Sequence, residues 1–214
     1  MLAKSAAPGQ SKTRLANELG VGKAAELAAA FLRDTIDLAL VSGHQVTVAF
    51  TPFDARPEFA SIAPGATRVD QPQGDLGLRL AAALVFGLCG RDSAVLIGSD
   101  PPQLPSAVIE KALRALRTAD LVVGPATDGG FYLLGIREAK SVDRLFDGIE
   151  WSTPAVFGQL MQNAQRLGLT VQVLEAFSDI DDTESLANVL RFAARSGTAP
   201  WTRATAGRLG LGPV

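Results

Sequence analysis

The sequence is poor in the residues that usually run metal and redox chemistry. Its 214 residues include one cysteine, Cys89, and one histidine, His44. A lone cysteine excludes an intramolecular disulfide and any Cys-x-x-Cys redox or zinc pair. One histidine cannot supply the two helical histidines of a zinc protease. No Gly-x-Ser-x-Gly turn accompanies it to suggest a hydrolase triad, so His44 reads as a surface or core side chain. No apolar run approaches the length of about 18 residues that a membrane span needs. Met1-Leu2-Ala3-Lys4 does not resemble a signal peptide, so the expectation is a cytoplasmic protein with no membrane partner. Neither sign of charge dominates. Twenty lysines and arginines against 22 acids leave a net charge of −2, which speaks against a nucleic-acid partner. Any chemistry therefore falls to carboxylates, lysine, arginine and a hard metal ion.

What is present describes a folded α/β protein. Hydrophobic residues make up 47% and charged residues 20%, the balance of a globular chain. Apolar residues recur at helical spacing from Ala24 to Ala39, Leu76 to Leu88, Val108 to Leu116, Pro154 to Leu167 and Glu184 to Arg195. Between them stand short apolar runs: Gln45 to Phe50, Ala94 to Ile97, Leu121 to Val123, Phe131 to Leu134 and Thr170 to Leu174. Continuous apolar runs of that length are typical of strands buried on both faces. The alternation predicts a three-layer α/β/α domain over residues 1–195, with a mostly parallel central sheet. Residues 196–214, rich in glycine and proline, read as an extended or mobile tail.

In open parallel sheets ligands sit beyond the carboxyl ends of the strands, which directs attention to the polar residues after apolar runs. Three loops stand out. The first, Lys4 to Leu15, holds Pro8 and Gly9 and then Lys12 and Arg14 before a helix. Backbone amides and two cations suit a phosphate there, although a solvated basic turn has the same composition. It lacks the glycine spacing of a Walker loop, and Gly20-Val21-Gly22 follows no strand as a dinucleotide fingerprint would. The second is Gly98-Ser99-Asp100, directly after Ala94 to Ile97. Asp100 is placed to coordinate Mg²⁺ or Mn²⁺, or else to cap the turn. The third is Asp179-Ile180-Asp181-Asp182 before the last helix. Helix capping accounts for Asp182 and leaves Asp179 and Asp181 without that explanation. Two acid loops with a basic loop between them describe a metal–diphosphate site.

These loops belong to a longer series of motifs. It comprises Lys4-x₃-Pro8-Gly9-x₂-Lys12-Thr13-Arg14-Leu15, Gln73-Gly74-Asp75-Leu76-Gly77-x-Arg79 and Gly98-Ser99-Asp100-x-Pro102, then Gly124-Pro125-Ala126-x-Asp128-Gly129-Gly130-Phe131-Tyr132-Leu133-x-Gly135 and Trp151-Ser152-Thr153. In that order, over residues 3–190, they resemble the bacterial GT-A-fold glycosyltransferase family associated with arsenosugar biosynthesis, formerly a domain of unknown function. The wider superfamily includes 2-phospho-lactate guanylyltransferase and molybdenum-cofactor nucleotidyltransferases. The resemblance implies a nucleotide-diphospho-sugar transferase-like fold. By position it gives phosphate or nucleotide binding to Lys4, Gly9, Lys12, Arg14, Asp75 and Ser99, and a Mg²⁺ or Mn²⁺ ion to Asp100 and Asp181. Asp128 reads as the catalytic residue, orienting or deprotonating an acceptor, although it is also a natural turn residue. Gly129, Gly130 and Trp151 would line the acceptor side. The resemblance also implies a central strand before Lys4, for which this sequence supplies Met1-Leu2-Ala3.

Three activities are expected to compete, and the Asp-Gly-Gly and Trp-Ser-Thr motifs favour the first, a metal-dependent glycosyltransferase. A glycosyltransferase would use a nucleotide-sugar donor and a small-molecule acceptor. A nucleotidyltransferase would join a nucleoside monophosphate to a phosphorylated small molecule, and needs further cations, for which Arg79 and Arg137 are available. A non-catalytic nucleotide-binding module would bind without turnover. Self-association into a homo-oligomer is compatible with each.

Overall fold

The computed structural model describes residues 1–9 and 12–212. Residues 10 and 11 of the basic loop and Pro213 of the expected tail lie outside the described residues. Strands β1 (Leu2–Lys4), β2 (Thr47–Thr51) and β3 (Thr67–Asp70) form a parallel ladder in the order β1-β2-β3. Strands β4 (Ala94–Ile97), β5 (Leu121–Pro125), β6 (Phe131–Ile136) and β7 (Val171–Val173) form a second ladder in the order β4-β6-β5-β7. Strand β6 runs antiparallel to both β4 and β5, whereas β7 is parallel to β5. The sheet is thus parallel on one side and mixed on the other. The reason lies in loop length: residues 126–130 alone join β5 to β6, and a parallel pair needs a crossover of about a dozen residues. Among the described residues no ladder joins β1 to β4. Leu2 nevertheless packs into the cluster that holds Leu96 of β4, so the two ladders lie edge to edge.

Helices α1 (Thr13–Leu19), α2 (Val21–Val41), α3 (Arg56–Ile62), α4 (Leu76–Leu88), α5 (Ala107–Ala115), α6 (Val142–Leu145), α7 (Val156–Arg166), α8 (Thr183–Ser196) and α9 (Pro200–Arg208) complete the chain. Successive strand residues feed opposite faces. Leu96, Leu121, Val123 and Leu134 pack with Leu84 of α4, Leu145 of α6 and Leu160 of α7. Ile97, Val122 and Leu133 pack with Ile109 of α5 and Leu38 of α2. Period-two alternation sends neighbours to opposite sides, so a strand covered by helices on both faces must be apolar throughout. This is the expected three-layer α/β/α arrangement.

The segment after Arg195 departs from the expected tail. Pro200 starts α9, with its fixed φ suited to a first helical turn. The buried Asp34 carboxylate of α2 accepts bonds from the Trp201 amide at 2.9 Å, the Thr202 amide at 2.8 Å and the Thr202 hydroxyl at 2.6 Å. The Arg33 guanidinium lies 3.8 Å from the Trp201 ring centroid, and the indole N–H donates to Asp37. Helix α9 is held by a partner distant in sequence, which local composition does not reveal.

Candidate functional site

The site forms where β1 and β4 end and the loop after β7 returns. Thr127 and Phe177 donate backbone bonds to Phe177 and Pro125 respectively, which draws residues 175–182 past the end of β5. Ile180 then plugs a cluster with Leu15, Leu27 and Phe31, fixing Asp179 and Asp181 on either side of a buried anchor. Gln103, 2% exposed, ties this loop to the one after β4 by donating to the Ser178 carbonyl at 2.6 Å. Asp182 caps α8, accepting from the Ser185 amide at 2.8 Å and the Ser185 hydroxyl at 2.6 Å. Those bonds hold its pKa below the usual carboxylate value.

Lys12 is the centre of the arrangement. It precedes α1 in a left-handed conformation (φ 52°), which a non-glycine residue adopts at a cost of roughly 1–2 kcal/mol. Its side chain is only 7% exposed, and its Nζ lies 3.2 Å from Asp100 and 3.8 Å from Asp181. Arg14 approaches the other oxygen of Asp181 at 3.5 Å. A cavity of about 330 Å³ opens here, lined by Lys4, Lys12, Arg14, Ser99, Asp100 and Asp181, with Ala28 and Leu32 of α2 beneath. Six residues singled out from sequence therefore share one cavity.

A seventh group was not singled out as a ligand. Asp179 Oδ1 is buried and has no hydrogen-bond partner among the described residues. Burial pushes the Asp179 pKa up to about 7, and the Asp100 charge adds to it; Lys12 partly offsets this, while Asp128 and Asp181 push further upward. Three other aspartates thus act on Asp179 through this corner. The Asp-x-Asp spacing marks Asp179 in the sequence, but its depth comes from tertiary packing. Nothing in the sequence marks Gln103, whose Oε1 is likewise buried without a partner among the described residues.

The remaining candidates take other places. Asp128 accepts from the Gly130 amide at 2.9 Å as a turn residue and still faces Asp179 closely enough to perturb it. Gly129 (φ 91°) is pressed against the neighbouring segment: a Cβ there would lie 2.3 Å from the Pro154 carbonyl oxygen, and the Phe157 amide donates to Gly129 at 2.8 Å. Gly9 sits in an exposed turn with φ 77°. Asp75 caps α4 by accepting from Leu78 and does not line the cavity. Trp151 is half-buried against Phe146 in the core cluster beside α4, with ring centroids 6.0 Å apart. His44 is exposed, 2.9 Å from Glu110. Arg79 lines a different cavity, and Arg137 neighbours Asp120; neither lines this one.

Among the described residues no group of three or more His, Cys, Asp or Glu side chains is close enough to cage a metal. The donors that could hold a divalent cation here are Asp100 and Asp181, with the unpartnered Asp179 oxygen nearby. No helix among the described residues is long and apolar enough to cross a membrane.

Comparison with known proteins adds four findings. The family model described as "Uncharacterized protein conserved in bacteria (DUF2064)" matches residues 35–153, which include Asp100 and Asp128 but not Lys12 or Asp181. A crystal structure of a candidate nucleotide-diphospho-sugar transferase from Desulfovibrio desulfuricans G20 matches with a TM-score of 0.88 and 30% identity, covering 100% of this chain and 97% of that one. The 2-phospho-L-lactate guanylyltransferase of Methanopyrus kandleri is 28% identical over 103 residues, 47% of this chain and 51% of that protein. The match thus spans about half the length of that curated relative. The 4-diphosphocytidyl-2C-methyl-D-erythritol synthase of Anaerococcus prevotii DSM 20548 matches with a TM-score of 0.60 at 11% identity, over 91% of this chain and 96% of that one, a likeness of fold.

Proposed function

Because the chain belongs to the bacterial DUF2064 family, whose description names no activity, its function rests on the site, and we propose that it is a nucleotide-dependent transferase. The observation that carries this is Lys12: a nearly buried ammonium between Asp100 and Asp181, with Arg14 and Lys4 on the same cavity. Such a mixture of cations and carboxylates suits a polyphosphate bound with a divalent cation. Mg²⁺ and Mn²⁺ are the ions in view, because Mg²⁺ is commonly held by one or two carboxylates plus phosphate oxygens, and these donors are oxygens of that kind. Asp100 and Asp181 would hold the ion, and it would supply charge neutralisation at the phosphates.

The donor we favour is a nucleotide-diphospho-sugar, supported by the full-length relative from D. desulfuricans. An acceptor oxygen would attack the anomeric carbon as its bond to the diphosphate breaks. Lys12 and Arg14 would stabilise the negative charge gathering on the leaving diphosphate, and Lys4 would help to hold it. Asp128, with Gly129 and Gly130 shaping its turn, would orient the acceptor hydroxyl and take its proton. Trp151 sits outside this cavity and would act by supporting the adjoining wall.

The second reading is nucleotidyl transfer, favoured by the guanylyltransferase relative. There an acceptor phosphate would attack the α-phosphorus of a nucleoside triphosphate and pyrophosphate would leave. Arg79 and Arg137 are absent from the cavity lining, so the extra cations expected for a phosphorylated acceptor do not come from them.

The test is a product assay with nucleoside triphosphates and UDP-, GDP- and ADP-sugars, each with and without Mn²⁺ and with small hydroxylated or phosphorylated acceptors. Release of nucleoside diphosphate from a sugar donor supports the first reading, and pyrophosphate release supports the second. Tight binding with neither product would leave a binding module and overturn both.

A further inference from the structure

The carboxylates that would hold a divalent cation are engaged by cations of the chain itself. Lys12 Nζ lies 3.2 Å from Asp100 Oδ1 and 3.8 Å from Asp181 Oδ1, and the Arg14 guanidinium lies 3.5 Å from Asp181 Oδ2. Both oxygens of Asp181 thus face a positive charge. The two cations differ in freedom. The Arg14 side chain is 77% exposed and can swing into solvent, whereas that of Lys12 is 7% exposed.

Distance decides whether an ion and the Lys12 ammonium can share these carboxylates. A Mg²⁺ ion sits about 2.0–2.1 Å from its oxygen ligands. An ion on Asp100 Oδ1 would lie no more than about 5 Å from Lys12 Nζ, because that nitrogen is itself 3.2 Å from the same oxygen. Positive charges that close, with little water between them, repel strongly. Moving Lys12 aside is no remedy by itself, because a nearly buried ammonium stripped of its partners is costly.

We propose that Lys12, helped by Arg14, bars a bare divalent cation from Asp100 and Asp181, so that the site takes the cation only together with a polyphosphate.

This inference rests on the transferase reading and adds a rule for how its ligands enter. Polyphosphate oxygens can take over the bonds of the Lys12 ammonium and the Arg14 guanidinium. Asp100 and Asp181 are thereby released to the ion, which phosphate oxygens also coordinate. Every charge then has an opposite partner, and neither ligand reaches that state alone. Without the ion, a polyphosphate would set its own negative charge against the two carboxylates. The coupling is reciprocal: each ligand raises the affinity for the other by the same factor. Part of it is the bond between ion and phosphate. The rest belongs to Lys12, and it alone disappears with the Lys12 charge.

The experiment measures binding of Mn²⁺ alone, by electron paramagnetic resonance of the free ion, to the parent chain, Lys12→Met and Lys4→Met. Lys12→Met is expected to bind Mn²⁺ more tightly than the parent by about tenfold or more. Lys4→Met removes the same charge from the same cavity without breaking an ion pair to either carboxylate, and should stay within about threefold of the parent. Adding Asp100→Asn to Lys12→Met should abolish the gain. Equal Mn²⁺ affinities of the parent and Lys12→Met overturn the proposal. So does a gain that survives Asp100→Asn, or one that Lys4→Met matches. Should Lys12→Met fail to fold, Lys12→Gly, which suits the left-handed backbone, reads the same gain. A parent chain that neither binds nor turns over nucleotide overturns the transferase reading and this rule with it. Equal Mn²⁺ affinities in a chain that does turn over nucleotide overturn the rule alone.

Discussion

Two aspartates are withdrawn from solvent in this molecule and treated in opposite ways. Asp34, on α2, meets three donors from the start of α9. Asp179, beside the loop that carries Lys12, keeps a buried oxygen with no donor among the described residues and faces other carboxylates. Burial raises both pKa values, but at Asp34 hydrogen bonds work against that rise. A buried carboxylate whose lone pairs are satisfied holds elements together. One left unsatisfied among like charges is a standing cost, and such costs are concentrated where a ligand relieves them.

The strongest way to break this contrast is at the satisfied residue. Asp34→Ala strands three donors, two amides and a hydroxyl, at about 1–3 kcal/mol each, partly recovered by water. We expect a loss of roughly 3–5 kcal/mol and a melting temperature lower by about 10 °C, with nucleotide affinity of the folded protein within about threefold. A large loss of affinity with an unchanged melting temperature would reverse the roles assigned to the two regions.

Lys12→Ala comes next. Charge-assisted contacts to phosphate contribute about 1.5–3 kcal/mol, so nucleotide affinity measured by calorimetry should fall ten- to a hundredfold. Unchanged affinity would remove the phosphate role.

Asp179→Asn sharpens the contrast through pH. The folded-state pKa of about 7 lies above the ordinary 3.8, so the folded state holds this proton more tightly than the unfolded state does. The associated stability is fully present below about pH 3.8 and is lost as pH rises through 7. In EDTA, the asparagine variant should therefore melt several degrees above the parent at pH 8, and the difference should shrink toward pH 4. A variant less stable at pH 8 would mean that Asp179 is a structural residue like Asp34.

The smallest effect is expected at Asp75, whose carboxylate caps α4. Asp75→Ala should lower stability by about 1 kcal/mol and leave nucleotide affinity unchanged. Loss of affinity at constant stability would restore it to the binding site.

Several elements were legible because their signals are local. Ala94 to Ile97 and Leu76 to Leu88 stand as apolar segments ended by glycine, and the structure gives them those bounds, with α4 capped by Asp75. Strand β3 was not, since Thr-Arg-Val-Asp at a sheet edge carries no long apolar run. Helix α9 was hidden because its first turn is satisfied by Asp34, far away in the chain. At the site, strand ends identify Lys12, Asp100 and Asp181, which do converge on one cavity. Asp75 and Trp151, which the motif resemblance also drew in, lie outside that cavity, with their side chains engaged in a cap and in core packing. Which of the two acids in Asp-Ile-Asp is deeper depended on Gln103 and the loop it staples, contacts no spacing rule encodes.

Gly129 has a consequence for the heat signature of binding. With no room for a Cβ beside Pro154 and its carbonyl bonded to Phe157, the Asp128 turn and the start of α7 are locked together before any acceptor arrives. If the proposed acceptor meets this wall, it should therefore lose little entropy to ordering protein, and selectivity there should arise from shape already in place.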